Sequence, residues 1–338
     1  MKSLPVLAVL ACALASPLAA ALDVNRPDVQ EYVNGLVKEH GLDADYLLAM
    51  LESAESQQSI LDAMSRPAEK TKPWKDYRAI FITPERIAAG TAFWKEREAQ
   101  LRQVTEKTGV PPEIMVGIIG VETFFGQRAG RYRLLDSLAT LGFDYPPRGK
   151  FFRSELTQLF LLARDEDIEI DKALGSYAGA MGAPQFIPSS YRNFAVDGDG
   201  DGRRDLFTSW DDVLASVANY FVVHKWKTGE PVATRATLVR EVSQSPADNK
   251  LSADATVAAL RQRGLRFSTD QADGAPAGLI VMEGEDGMEH WVAFHNFFVI
   301  TRYNRSSMYA LAVYQLGQAI GEAARTTPEG PVRAAESP

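Results

Sequence analysis

Val116-Gly-Ile-Ile-Gly-Val-Glu-Thr-Phe-Phe-Gly126 places one carboxylate, Glu122, at the end of an apolar run. Pro111-Pro112 ahead of Glu113 suits a helix start, because proline presets φ and an early acid faces the positive end of the helix dipole. Gly126 offers a stop. A helix is therefore expected over 113 to 126. A carboxyl group held against this much hydrocarbon is pushed toward its protonated form, since burial disfavours the charge. Such a group can donate a proton at neutral pH. The plainer reading is a glutamate on the solvated edge of a core helix, so the rest of the chain must decide.

Working outward, apolar residues recur at helical spacing from Asp28 to about Arg66, in Val29, Val33, Leu36 and Val37, then Tyr46 to Met50 and Ile60 to Met64. Three short helices are expected there. Thr83-Pro84 reads as an N-cap and first helical position for a helix carrying Ala88 to Leu101. Further helices are expected over 135 to 141, 151 to 165 and 211 to 224. The character changes after Gly229: Val232 to Val239, Gly278 to Glu283 and His290 to Tyr303 are rich in β-branched and aromatic residues, as strands are, with a short helix near Ala253 to Arg263. Met308 to Ala324 returns to helical periodicity. The fold class is thus mainly α with a small β-containing domain. The expected division is 22–75 as an N-terminal helical region, 76–227 as the core, 228–298 as a small α/β domain, 299–325 as a return to the core, and 326–338 as a disordered tail.

The first 21 residues have a different character. Met1-Lys2, an apolar stretch from Leu4 to Leu14 and Ser16-Pro17-Leu18-Ala19-Ala20-Ala21 match a secretory signal peptide, with cleavage expected after Ala21. An exported, periplasmic protein follows from that reading. The single cysteine, Cys12, lies inside this segment; Val9-Leu10-Ala11-Cys12 faintly resembles a lipoprotein box, but the better cleavage site is downstream, so soluble export is favoured over a lipid anchor. The mature chain would then contain no disulfide, and a chain of this length can hold its fold by core size alone. No later segment approaches a membrane span. The formal charge is −8, and losing Lys2 with the leader takes it to −9, which argues against a nucleic-acid partner.

The second chemical motif is Gly175-Ser-Tyr-Ala-Gly-Ala-Met-Gly-Ala-Pro-Gln-Phe-Ile-Pro-Ser-Ser-Tyr191. Its glycines let backbone approach a ligand, while Ser176, Gln185 and Tyr191 supply hydrogen-bonding groups among Tyr177, Met181 and Phe186. Aromatics mixed with amides and hydroxyls suit a sugar, whose ring offers a C–H face for stacking and hydroxyls around the rim. Joined in order with Glu122-Thr-x-x-Gly126, this segment resembles the lytic murein transglycosylase B family, from about Tyr77 to Tyr314.

That resemblance implies a lysozyme-like helical core acting on peptidoglycan glycan strands. The reaction implied is non-hydrolytic cleavage of the β-1,4 bond between N-acetylmuramic acid and N-acetylglucosamine, leaving a 1,6-anhydro end, a carbon–oxygen lyase activity on a polysaccharide. Glu122 would act as the acid and then as the base. By the same resemblance Ser176 helps hold an acetamido group, Gln185 lies in the glycan groove, and Tyr77, Tyr220, Tyr303 and Tyr309 match groove tyrosines. Other cell-wall enzymes are conceivable partners. Two places depart from the family pattern: Ala183-Pro184 before the glutamine, and Pro147-Arg148 where a pair of arginines is expected. The first alters the groove locally, and the second leaves Arg148 to pair with stem-peptide carboxylates. A muramidase that uses water, or a non-catalytic peptidoglycan-binding protein, are the alternative readings.

Asp197-Gly-Asp-Gly-Asp-Gly-Arg-Arg-Asp205 opens like an EF-hand calcium loop, with acids at loop positions 1, 3 and 5, glycine at 6, and Arg203 offering its backbone carbonyl at 7. Thr208 stands where the closing glutamate belongs, so a longer loop closed by Asp211 or Asp212 is expected; the resemblance points to Asp211. The calcium would be structural, and no organic cofactor is expected. His40, His224, His290 and His295 form no zinc-like pattern, and neither a phosphate-cradling glycine loop nor a nucleophilic serine motif is present.

Overall fold

The structure is a computed structural model and describes residues 20–65, 72–166, 168–241 and 243–326. Most of the leader, Cys12 and the tail from 327 lie outside the described residues. Ala20–Ala21 (β1) pairs with Glu55–Ser56 (β2), and Leu22 is buried with its N–H on the Ala54 carbonyl. Three helices occupy the N-terminal region: α1 (Pro27–His40), α2 (Ala44–Glu52) and α3 (Gln58–Ser65). Each buries its apolar stripe, as in Val29, Val33 and Leu36 of α1.

The helical body follows with α4 (Trp74–Phe81), α5 (Pro84–Glu96), α6 (Glu98–Thr108) and α7 (Pro112–Thr123). Periodicity alone runs α5 into α6, but the chain turns at Arg97, whose guanidinium lies over the Phe93 and Trp210 rings. Tyr132–Arg133 (β3) leads into α8 (Leu134–Phe143) and α9 (Gly149–Glu166), and Leu174–Gly175 (β4) pairs back on β3. The short α10 (Pro188–Phe194) and α11 (Trp210–Val223) complete this part. Buried Asp136 on α8 accepts from the backbone of Glu55 and the side chain of Gln57, joining the N-terminal helices to the body.

The chain then builds one five-stranded antiparallel sheet, with β5 (Ala233–Leu238), β6 (Ala255–Thr256), helix α12 (Val257–Gln262), β7 (Leu265–Arg266), β8 (Pro276–Gly284) and β9 (Gly287–Ala293), in the order β6-β8-β9-β5-β7. Side chains alternate across its faces. Leu279 and Val281 pack with Val257, Leu260 and Phe294 in a small core, whereas Ile280 and Met282 join the main core. Both faces are therefore covered, which ties the sheet to the helical body.

The strand expected over 290–303 ends early, at Ala293, and His295–Ile300 forms helix α13. A short apolar run does not distinguish helix from strand by periodicity. Tertiary context decided it: the fully buried Asn296 side chain accepts from the Lys227 backbone N–H and donates to the Lys227 and Glu230 carbonyls.

The last helix, α14 (Ser307–Thr326), packs on α7. A Cβ added at Gly117 would lie 2.5 Å from the Val313 carbonyl oxygen, and one at Gly317 would lie 2.0 Å from that of Glu113. Glycine is required for so close an approach of two helix backbones. Pairing 113 with 317 and 117 with 313 means the helices run antiparallel. Continued along the axis, that register brings the N-terminal end of α14 to Glu122.

Candidate active site

Helix α7 ends at Thr123, earlier than the Gly126 stop expected from sequence. Phe124, Phe125 and Gly126 are all left-handed, with φ of 51°, 59° and 83°. Two consecutive bulky residues there cost backbone strain, which persists only where the surroundings over-determine it. The surroundings can be named. Thr123 Oγ1 donates to the Ala183 carbonyl at 2.9 Å and accepts from the Gly126 N–H at 3.0 Å. Arg86, buried on α5, donates through Nη1 to the Gly120 carbonyl and lies 4.8 Å from the Phe124 ring centroid and 5.3 Å from that of Phe81. Arg128 covers Phe124 as well, at 4.7 Å. Burial, then the nearby Arg128, push the Arg86 guanidinium below its usual pKa. Sequence reasoning missed both Arg86 and Thr123: Arg86 carries no local signal, and Thr123 stands out only as one letter of a motif.

The strained turn holds Glu122 half-buried at the helix end, with Tyr309 Oη donating to its Oε1 at 2.5 Å. Burial, and then the neighbouring Glu122, raise the Tyr309 hydroxyl well above the usual tyrosine range, so it remains a donor. Aromatic rings extend from this pair. Tyr303 stacks on Tyr309 with centroids 6.5 Å apart and planes at 15°, and Tyr220 lies 4.8 Å from Tyr303. Phe186 lies 5.8 Å from both Tyr220 and Tyr303. On the other side Tyr77 is buried between Trp74 and Phe81, within electrostatic reach of Tyr309.

The structure thus brings Glu122, Tyr77, Tyr220, Tyr303 and Tyr309 together, and it assigns several of their polar atoms internal work. Tyr303 donates to the Pro184 carbonyl at 2.7 Å, and Tyr220 donates to that of Arg302 at 2.6 Å. Burial pushes the Tyr220 hydroxyl up to about 12. Gln185, left-handed at φ 54°, donates from Nε2 to the Ala129 and Gly182 carbonyls, both at 3.0 Å. Its side-chain oxygen takes no part in those two bonds. Ser176 Oγ accepts from the Ala178 and Ala180 N–H groups, which shapes the glycine-rich turn and leaves its own proton to donate. Of the two departures, Pro184 lends its carbonyl to Tyr303, while Arg148 lies over the Phe151 ring at 4.3 Å. A cavity of about 710 Å³, lined by Trp74, Met282, Arg305 and Met308 among others, opens between the sheet and the start of α14, where Trp74 stacks on Tyr77.

The acidic loop is a separate feature. Asp197, Asp199 and Asp212 bring carboxylate oxygens within 4.8 Å of one another. Asp197, Asp199 and Asp201 each also accept backbone N–H groups of the loop, Asp201 from Arg203. Asp211, the acid favoured from sequence, requires a correction: its Oδ2 accepts from Gln100 Nε2 at 2.6 Å, and the neighbouring Asp212 faces the loop, accepting from the Gly198 and Asp205 N–H groups. Burial, with Asp199 and Asp197 adding to it, raises the Asp212 carboxyl pKa. An all-oxygen set of converging acids fits a hard divalent cation such as calcium.

Three comparisons relate the chain to known proteins. Residues 25–318 match the model of the Transglycosylase SLT domain family. The membrane-bound lytic murein transglycosylase B of Escherichia coli strain K12 is 41% identical over 308 residues, spanning 88% of this chain and 83% of the relative. A soluble lytic transglycosylase from Pseudomonas aeruginosa superposes with a TM-score of 0.83 at 46% identity, over 88% of this chain and 99% of that one. An Escherichia coli lytic transglycosylase solved in complex with calcium superposes at 0.82 and 38% identity, over 91% and 97%. With its fold shared along nearly its whole length with these proteins, the chain belongs to the Transglycosylase SLT domain family, as a lytic transglycosylase acting on peptidoglycan.

Proposed function

We propose that this enzyme cleaves the β-1,4 bond between N-acetylmuramic acid and N-acetylglucosamine without water, and that Glu122 alone serves as acid and then base. The observation that carries this reading is the Tyr309 hydrogen bond to Glu122 Oε1 within the ring-lined site. With Tyr309 donating to Oε1, we assign the acid proton to Oε2. Oε2 passes that proton to the glycosidic oxygen as the C1–O bond breaks, and positive charge develops on the ring. The muramoyl 6-hydroxyl then attacks C1 and returns its proton to Glu122, closing the 1,6-anhydro ring and restoring the acid. An internal hydroxyl is present at high effective molarity, so no second carboxylate is needed to activate water. Most glycosidases use two.

Mass spectrometry of digested purified peptidoglycan tests the chemistry. Fragments ending in 1,6-anhydromuramic acid, lighter by one water than hydrolysis products, are expected. Reducing ends would assign a muramidase, and an absence of fragments a binding protein. Tyr309→Phe keeps the buried ring and removes the donor to Oε1. A hydrogen bond to a charged group is worth about 1.5–3 kcal/mol, so kcat should fall roughly 10-fold to 100-fold. An unchanged rate of anhydro-product release would remove Tyr309 from the positioning of Glu122.

For the metal loop we read a structural calcium held by Asp197, Asp199, Asp201 and the Arg203 carbonyl, with Asp212 in place of Asp211 as the closing acid. The division of the chain at about 76, 228 and 299 and an exported, periplasmic location belong to the same reading. Cleavage after Ala21 removes β1 and leaves the buried Leu22 as the first residue. Among the described residues no helix is long and apolar enough to cross a membrane.

A further inference from the structure

Behind the tyrosine layer lies a second cavity, of about 570 Å³, between the end of α11 and the sheet. His224, Lys225, Lys227, His295 and Arg302 line it, and the one acid in its lining, Glu230, is paired with Lys227 at 3.2 Å. On a chain of net charge −8 this is a local reversal of sign, and a low-dielectric concavity focuses such a field. Among the described residues neither Lys225 nor Arg302 has an ion-pair partner. Lys225 is also left-handed, at φ 71°, where it ends α11. Glycine is the residue that adopts this helix-ending conformation without strain. A lysine there accepts a backbone penalty and places a cation at the cavity.

Two residues that line the cavity, His224 and Arg302, contact the site tyrosine Tyr220. The His224 ring stacks on Tyr220 with centroids 4.1 Å apart, and Tyr220 Oη donates to the carbonyl of Arg302, the residue before Tyr303. Both His224 and His295 direct one ring nitrogen to a backbone carbonyl, of Tyr220 and Lys225 respectively, each at 2.7 Å, which holds the imidazoles in place. We propose that this basic cavity binds the carboxylates of the peptide stem carried by a muramoyl residue seated in the adjoining site. The inference rests on the peptidoglycan reading above and deepens it. The strand being cut is neutral along its sugar backbone and anionic in its peptides, so cations one ring away from the groove recognise the stems.

The test uses the intact enzyme with two substrates, peptidoglycan carrying its stems and glycan stripped of them by an amidase. Lys225→Gly combined with Arg302→Gln removes both unpaired cations while keeping the Arg302 carbonyl. Exposed charge pairs are individually weak, so KM on the stem-bearing substrate should rise by about threefold to tenfold, with kcat kept. KM on the stripped glycan should not change. Lys225→Gly alone should melt at the same temperature or higher, because it relieves the left-handed lysine, and it should still raise KM on stems. Calorimetry with a soluble stem peptide should show binding to the wild type that weakens in the double variant and with added salt. Equal KM changes on both substrates, or none on either, would overturn the proposal. Products with reducing ends would overturn the reading of the chemistry, leaving the calorimetric result to judge this site independently.

Discussion

Glu122→Gln is expected to release anhydromuropeptides about 100-fold to 10,000-fold more slowly than the wild type, the share usually supplied by a general acid. Glutamine keeps the shape and one carbonyl oxygen, so Tyr309 can still donate to it and the antiparallel packing of α7 on α14 is left alone. The melting temperature should therefore be close to that of the wild type. What is lost is an exchangeable carboxyl proton, and both steps of the proposed sequence use it. The size of the effect discriminates between readings. A second carboxylate sharing the chemistry would leave a larger residual rate, and a variant that retained near wild-type release of anhydro ends would sink the assignment.

The second large effect is on stability. Removing calcium by chelation is expected to lower the melting temperature by about 4 °C, taking roughly 2.7 kcal/mol for an ion held at a hundred times its Kd and an unfolding entropy of roughly 2.1 cal/mol/K per residue over 338 residues. Without a cation, Asp197, Asp199 and Asp212 repel one another within 4.8 Å. Asp212→Asn should abolish the response to calcium, while Asp211→Asn should retain it, since Asp211 is engaged by Gln100. A melting curve that ignores both chelator and added calcium would remove the ion from the loop. The reverse pattern in the two variants would restore Asp211.

Much of the helical body was legible because its cues are local. Pro84 after Thr83 and Pro112 before Glu113 start helices where expected, and the Thr83 side chain accepts from the Arg86 N–H as an N-cap should. Failures came where distant contacts overrode local pattern. The apolar run after Ala293 turned helical around buried Asn296. Helix α7 stopped at Thr123 rather than running on to Gly126, because Phe124 and Phe125 are held left-handed by the contacts of Arg86 and Arg128 with Phe124 and by the Thr123 bond to the Ala183 carbonyl.

The acidic loop shows the same division at the scale of one residue. Its acids and glycines are plain in the sequence, yet Asp211 and Asp212 are adjacent on α11, and successive side chains on a helix point about 100° apart. Which of the two faces the loop depends on how α11 is rotated against α6, where Gln100 waits for Asp211. Composition and spacing cannot carry that rotation.

Glu122 itself was marked by its own neighbours: an acid closing an apolar helix, followed by a glycine-rich segment with hydrogen-bonding groups among aromatics. Local sequence encodes that much because helix periodicity and capping act between residues three or four apart. Tyr309, which donates to Glu122, is 187 residues away, and nothing local links the two. Gly117 and Gly317 were visible as letters, but their use is a joint property of two helix surfaces that must approach closely and in one register. The chain's own order of residues therefore supplied the acid, the helices and the acidic loop. Packing decided which tyrosine holds the acid, which aspartate meets the loop, and that a basic cavity lies one ring behind the site, because each of those depends on contacts between segments far apart in the chain.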